Sequence, residues 1–364
     1  MTNLPVLRTC TALFLGILLT ACDKAPQESA VAVSADSVTV DVPVARIDTV
    51  EDVYFEKTVA DPYRWLENWD DEQVKNWSEN QNVYARGILA NLAERPAVHE
   101  RVSEILKSAQ SVSYGSLRMA GKDALFAMKR DPEQQQSILV LMGADGDPAN
   151  EKIFVDPNQI DPSGGSSIDW YTPSHDGTMV AVSMSSGGSE SGDVHVYKIP
   201  SGEETDIVIE RVNGGTAGGD LAWFADDTGF YYTRYPRSGE RSEEDMHFFQ
   251  QVWKHELGTP AEKDSYVIGA EFPRIAEVRL SVEVASGRLL VWVQDGDSNR
   301  FELHLKQPDG AWNKFSEFGD GAIQAMFGPD DSLFVISRAQ APRGRILKLN
   351  SAAPDLAQAV EIIP

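Results

Sequence analysis

The chain is 364 residues long, and 56 Asp and Glu against 32 Lys and Arg give it a formal net charge of -24. So acidic a surface excludes nucleic acid as a partner and excludes docking on anionic lipid through a basic patch, since both need clustered cations. Two cysteines in the whole sequence exclude a disulfide framework.

Residues 1–21 read as a targeting segment. Arg8 is the only charge before an apolar core from Ala12 to Leu19, which is too short to span a bilayer as a permanent helix. The core runs into Leu19-Thr20-Ala21-Cys22, which resembles a bacterial lipoprotein box. That resemblance implies cleavage before Cys22, a lipid on the new N-terminal cysteine, and a place in the bacterial cell envelope facing the periplasm. The alternative is an ordinary secretory signal, or an uncleaved anchor, with Cys22 incidental. Removing residues 1–21 takes Arg8 and Cys10, so the charge becomes -25 and Cys22 is the only cysteine left. Residues 22–48 are rich in Ala, Val, Ser and Pro without a sustained period, and are expected to form a flexible tether.

Residues 49–110 are expected to form a short helical arm. Asp61-Pro62-Tyr63 is an extended or turn segment, because the residue before proline avoids helical geometry. Asp70 or Asp71 caps a first helix, with Glu72 in its first turn. Val74, Trp77, Tyr84 and Ile88 make its apolar face. Pro96 suits the first turn of a second helix whose face is Val98, Val102, Ile105 and Leu106. Two such helices cannot bury their faces on each other alone and need a larger body.

From residue 111 to 364 the texture changes to short β-rich runs between Gly, Asp, Asn and Pro turns. The runs are Ala124–Lys129, Ser137–Met142, Met179–Met184, Val194–Ile199, Gly229–Arg234, Leu289–Gln294, Glu302–Leu305, Leu333–Ser337 and Ile346–Leu349. A turn phrase recurs ahead of an apolar strand: Gly121-Lys122-Asp123, His175-Asp176-Gly177, Asp226-Asp227-Thr228-Gly229, Ala285-Ser286-Gly287 and Pro329-Asp330-Asp331. Its spacing of about 45–60 residues is that of β-propeller blades. The fold class read here is therefore mainly β, a propeller of about five blades behind a two-helix arm. Trp170, Trp223, Trp253 and Trp292 are expected to pack between blades.

The run Asp61-Pro62-Tyr63-Arg64-Trp65-Leu66-Glu67, then Trp77, Gln81-Asn82, and Arg95-Pro96 through Leu106 resembles the N-terminal arm of the prolyl oligopeptidase family of serine peptidases. Later phrases resemble the family's propeller in the same order. They include Asp156-Pro157-Asn158, Asp169-Trp170-Tyr171, Ser185 to Gly192, Gly229-Phe230-Tyr231-Tyr232, and Gln251-Val252-Trp253 leading to His255 and Leu257-Gly258-Thr259-Pro260. The resemblance implies a seven-bladed propeller that caps an α/β-hydrolase domain and admits only short peptides. It also implies hydrolysis on the carboxyl side of proline by a Ser–Asp–His triad in a domain C-terminal to the propeller.

No serine in the chain has the Gly-x-Ser-x-Gly setting of a nucleophile elbow. The nearest approach, Gly187-Gly188-Ser189-Glu190-Ser191-Gly192, misses the spacing. Asp169, His175 and Ser189 are triad residue types, but their order does not match the family. No catalytic residue is therefore assigned. The six histidines, His99, His175, His195, His247, His255 and His304, stand far apart, and no metal or cofactor is expected. The expectation is an arm and partial propeller whose hydrolase domain is absent from this chain, inactive alone, with short peptides as substrates and the hydrolase half supplied in cis or in trans. The alternative function is a non-catalytic, lipid-anchored propeller that binds a peptide or protein partner.

Overall fold

A computed structural model describes residues 42–108 and 111–364. The expected signal segment, Cys22 and most of the expected tether lie outside the described residues. The chain divides into two compact units, one up to His99 and one from Glu100 to Pro364.

The first unit begins with a hairpin of β1 (Val50–Tyr54) and β2 (Lys57–Asp61). Phe55 and Glu56 at its tip both have positive φ, the backbone of a tight type I′ turn. The sequence hides this hairpin, because its residues are mostly exposed and give no sustained apolar alternation. Arg64 then clamps it, pairing with Asp52 and Asp61. The backbone N–H of Tyr63 and then Arg64 hold the Asp61 carboxyl below its ordinary pKa. Residues 42–48 have no regular structure but are tied down. Pro43 O accepts from Gln81 Nε2 at 2.8 Å, Arg46 O from Trp65 Nε1 at 3.0 Å, and Asp48 N donates to Pro62 O.

Helix α1 (Glu72–Ala90) starts where expected, with Asp71 as its cap accepting from Gln73 N. Val74 is buried and Trp77 packs edge-on against Trp65. Further along, Ile88 and Leu89 are about half exposed. Helix α2 (Arg95–Ser108) has the expected Pro96 in its first turn, and Val98, Val102, Ile105 and Leu106 are all exposed.

The second unit is built from five four-stranded antiparallel sheets, each made of four consecutive strands. Sheet I is β3 (Ser113–Ala120), β4 (Ala124–Arg130), β5 (Ile138–Gly143) and β6 (Lys152–Val155). A single helical turn, α3 (Pro157–Ile160), leads to sheet II: β7 (Ser166–Pro173), β8 (Met179–Ser186), β9 (Gly192–Lys198) and β10 (Glu204–Asn213). Sheet III is β11 (Leu221–Trp223), β12 (Gly229–Arg234), β13 (Gln251–Glu256) and β14 (Ser265–Ile268). Sheet IV is β15 (Ala276–Val282), β16 (Leu289–Asp295), β17 (Phe301–Lys306) and β18 (Trp312–Ser316). Sheet V is β19 (Ala322–Phe327), β20 (Ser332–Ser337), β21 (Arg345–Asn350) and β22 (Val360–Ile363).

All nine expected strands form, and each is the second or third strand of its sheet. Middle strands are covered on both faces by neighbouring sheets, so they read as near-continuous apolar runs. First and fourth strands, such as β10 with Glu204, Asp206 and Glu210, leave alternate residues in solvent and give a weaker signal. The five turn phrases all sit between the first and second strands. Their mechanism is visible in the side chains: Asp176 accepts from Thr178 N and Asp226 from Thr228 N, each two residues on, which holds an Asx turn.

A core fills each junction between successive sheets. Phe126, Leu139, Tyr171 and Val180 join I to II, and Val194, Ile209, Trp223 and Phe230 join II to III. Val252, Phe272, Val278 and Val291 join III to IV, and Leu303, Leu305, Leu333 and Val335 join IV to V. The four tryptophans pack as expected in these layers, Trp170, Trp223 and Trp253 between II and III and Trp292 between IV and V.

Candidate functional site

Because the strands alternate in direction, one end of each sheet carries the turns between first and second strands and the other carries the connections between sheets. That second end gathers residues 187–191, 214–220, 235–250, 269–275 and 296–300, the longest being 235–250 between β12 and β13. Long loops on a rigid frame are where binding groups concentrate. Here they are welded into one network across sheets II, III and IV.

The network starts at Asp220, just ahead of β11. Its carboxylate accepts from its neighbour Leu221 N and from Leu280 N on β15 at 2.8 Å. Burial pushes its pKa up, and the Leu280 N–H and the nearby Arg279 guanidinium offset part of that rise. Arg279 donates to Gly219 O at 3.1 Å, and Gln250 bridges the sheets by donating to Gly218 O and accepting from Val278 N. Tyr235 closes the loop 214–219, its hydroxyl accepting from Ala217 N and donating to Gly218 O. Burial raises the phenol to about 12, so it stays a neutral donor.

The 235–250 loop is held by arginines on aromatic faces. Arg234 lies 4.0 Å over Trp253, Arg241 3.7 Å over Phe249 and Arg274 3.5 Å over Phe248. The Arg234 head is buried and makes a two-point bond to Glu240, whose pKa it lowers. Arg274 also reaches Asp245, and Arg211 donates to Met246 O. Sequence reading passed over this cluster. Its signal was Arg234, Arg237 and Arg241 closely spaced ahead of Phe248-Phe249 in an otherwise acidic chain. Replacing Arg234 by Ala is expected to remove about 1–2 kcal/mol, discounted because Glu240 is half exposed. Hydrogen exchange should rise across residues 235–250 and not in β16 or β17.

Asp169, on β7 near the same end, accepts from Ser183 Oγ at 2.8 Å and Ser185 Oγ at 2.7 Å. Burial raises its pKa, with the Ser185 and Ser183 hydroxyls working in the opposite sense. A carboxyl with a raised folded pKa favours the protonated fold, so its contribution to stability falls as pH rises from its unfolded value through the folded one. Asp169→Asn keeps one serine as donor to its amide oxygen, turns its NH₂ as donor toward the other serine oxygen, and removes that titration. The variant should therefore gain stability relative to the natural chain as pH is raised from 4 to 7 in thermal melts; a constant difference would refute the assignment.

His175 and Ser189 do not join Asp169. His175 sits in the turn before β8, its Nε2 3.4 Å from Trp223 O, and Ser189 sits in the loop after β8 with its hydroxyl on Ser186 O. The length of β8, ~23 Å at about 3.3 Å per residue, separates them. Among the described residues no serine hydroxyl is hydrogen-bonded to a histidine, and no group of three or more His, Cys, Asp and Glu is placed to hold a metal ion. The arrangement at the loop end offers donors, cations and aromatic faces, which is binding chemistry.

A sequence model described as the prolyl oligopeptidase N-terminal β-propeller domain matches residues 42–364. The chain belongs to the prolyl oligopeptidase family. Family relatives include the prolyl endopeptidases of Elizabethkingia miricola, 30% identical over 312 residues, and Elizabethkingia meningoseptica, 27% identical over 307 residues. Each alignment covers 83% of this chain and 42% of the relative. A solved family structure, from a study of inter-domain dynamics in two prolyl endopeptidases, superposes with a TM-score of 0.76 at 26% identity, over 89% of this chain and 46% of that one. Prolyl oligopeptidase B of Galerina marginata, bound to a 25mer macrocyclization substrate, shares the fold with a TM-score of 0.69 at 18% identity, over 89% of this chain and 48% of that one. The chain thus spans a little under half the length of the relatives it matches.

Proposed function

We propose that this chain supplies the arm and gating propeller of a prolyl-oligopeptidase-like serine endopeptidase acting on short proline-containing peptides. The observation that carries this reading is the family match over residues 42–364, laid on an arm and five four-stranded sheets. The sheets are five blades of a ring that the family resemblance gives seven. Bond cleavage belongs to an α/β-hydrolase domain that works with this chain in cis or in trans, since the chain itself carries no Gly-x-Ser-x-Gly. The exposed apolar residues of the arm, Ile88, Val98, Val102 and Leu106, suit a surface that such a domain covers. The arginine-bearing loop end suits a face that meets peptide.

The full purified chain should release no fluorophore from a proline-containing fluorogenic peptide. Release that tracks the chain through purification would sink the reading. Blots of source cells with an antibody to the arm, residues 61–106, separate the two arrangements. A product much larger than 364 residues supports the hydrolase domain in cis, and one of this size supports it in trans.

The same proposal includes a lipid on Cys22 and a periplasm-facing location. Cys22→Ala is expected to abolish incorporation of labelled palmitate and to move the protein from the membrane to the soluble fraction. Unchanged labelling would rule the anchor out.

A further inference from the structure

A cleft of about 390 Å³ opens at the loop end of sheet III. On one side are the end of β12 and the start of β13, where Arg234 lies across the ladder from Gln251. Trp253, two residues on, emerges on the same face. On the other side the 235–250 loop contributes Pro236, Glu240, Arg241 and Phe249.

The two guanidinium groups that line this cleft differ in what they meet. Arg234 is spent. Its side chain is 4% exposed, and its Nη atoms donate to both oxygens of Glu240 and to Tyr235 O. Glu240 is spent as well, since its Oε2 also accepts from Arg237 N. Arg241 is exposed and has no hydrogen bond or ion pair to any described residue; it rests 3.7 Å over the Phe249 ring. The acidic run beside it leaves its charge unmet, because Asp245 pairs with Arg274 and the Glu243 and Glu244 carboxylates make no ion pair.

Phe249 has φ +57, a left-handed backbone that a bulky residue adopts only under constraint. Its N–H is fixed on Arg274 O at 2.8 Å. The ring under Arg241 is thereby set in place, which lowers the cost of ordering a long side chain when a ligand arrives. Gln251 supplies a second donor. Its Oε1 accepts from Trp253 Nε1 at 3.4 Å, and its NH₂ has no protein partner and is not sealed from solvent.

One unmet guanidinium beside a neutral amide matches a single negative charge spread over two oxygens, and the guanidinium fork grips a carboxylate at two points. A cationic ligand would meet Arg241, and a dianion would keep a charge unmet. Trp253, Phe249 and Pro236 give the group next to the carboxylate an apolar setting. The volume is at the small end of ligand sites.

We propose that this cleft binds a carboxylate carried beside an apolar group, either the C-terminal residue of a short peptide or a free small carboxylic acid. Arg241 and Gln251 donate to the carboxylate oxygens, and Trp253, Phe249 and Pro236 take the apolar group. The peptide form rests on the chain's proposed work on peptides; the free-acid form does not.

The test is calorimetric titration of the full chain with acetyl-Pro-Phe, with its C-terminal amide, and with 3-phenylpropionate. At least one of the two acids should bind saturably, and the amide should bind at least tenfold more weakly than acetyl-Pro-Phe or not at all. Tighter binding of acetyl-Pro-Phe assigns a peptide C-terminus. Tighter binding of 3-phenylpropionate assigns a free acid and supports the site while removing peptide from it. Arg241→Gln should weaken acid binding at least tenfold with hydrogen exchange across residues 235–250 unchanged, and Arg241→Lys, which keeps the charge and loses the fork, should restore only part. Gln251→Glu, which leaves Arg241 on its ring, should weaken the acids by at least as much. Equal binding of acid and amide overturns the proposal, as does an absence of binding by either acid. So does a loss in Arg241→Gln that comes only with raised exchange in the loop, the mark of a purely structural arginine.

Discussion

Trp223→Ala is expected to lower the unfolding free energy by about 3–5 kcal/mol, the range for deleting a large buried aromatic. Trp223 is 1% exposed and sits at the junction of sheets II and III, edge-on to Phe230 at 5.2 Å. Its Nε1 also donates to Thr172 O at 2.9 Å, crossing from sheet III to sheet II. Truncation therefore opens a cavity and strands a carbonyl between two sheets that have no main-chain ladder joining them. A loss of this size is a large share of the about 5–15 kcal/mol that holds typical domains folded. Urea titration of the variant against Trp223→Phe separates the two parts. Phe fills most of the space and loses the hydrogen bond, so it should fall by about 1–2 kcal/mol. Equal losses in Ala and Phe would show that the hydrogen bond, and not the packing, dominates.

Gly177→Ala is the second large effect, at about 2–5 kcal/mol, and it is a backbone effect. Gly177 has φ +74, where a side chain is strained. A Cβ there would also lie 2.7 Å from the Ala120 carbonyl carbon and 2.8 Å from Gly121 N, both main-chain atoms of the preceding sheet's turn. Strain of about 1–2 kcal/mol from the left-handed conformation adds to about 1–3 kcal/mol from overpacking. Gly187→Ala is the control. Gly187 has nearly the same φ, +66, but nothing within 4 Å of its Cβ position, so only the strain should remain. The difference in midpoint between the two variants measures how tightly the turns of sheets I and II abut. Equal midpoints would mean the turns part without cost.

These two sites mark where the sequence was legible and where it was not. The turn phrase that includes Gly177 was readable because Asx turns and left-handed glycines have a local chemical signature. That Gly177 must be glycine for a second reason, the main chain of Ala120 and Gly121 in another sheet's turn, is not local and leaves no trace in the phrase. Likewise the tryptophans were recognisable as packing residues by type. Which of them bridges two sheets with a hydrogen bond depends on the register of β11 against β7. The edge strands β10 and β22 and the exposed hairpin β1–β2 went unread, because they lack the near-continuous apolar runs that mark the doubly covered middle strands.

The candidate site was the least legible part. Asp169 drew notice as a triad type, and the fold shows it satisfied by two serines of the next strand. His255 drew notice in a family phrase and as one of six scattered histidines, yet the fold pairs it with Asp264, nine positions away, whose other oxygen takes the Tyr232 hydroxyl. The arginine-aromatic loop went unread for the same reason: Arg234 meets Trp253, and Arg274 meets Phe248, only after β12 and β13 pair.

By itself the sequence determined the elements whose causes are local: a helix cap at Asp70 or Asp71, nine of the ten middle strands, the five turns, and the family phrases in order. Hydrogen bonds within a turn and the apolar content of a doubly covered strand act over a few residues, so they are written in the chain. Tertiary structure alone decided which strands became edges, which glycines abut another sheet's main chain, and which distant polar side chains pair in the interior. Those follow from contacts between segments far apart in sequence, and burial is a property of the assembled sheets, not of any one of them.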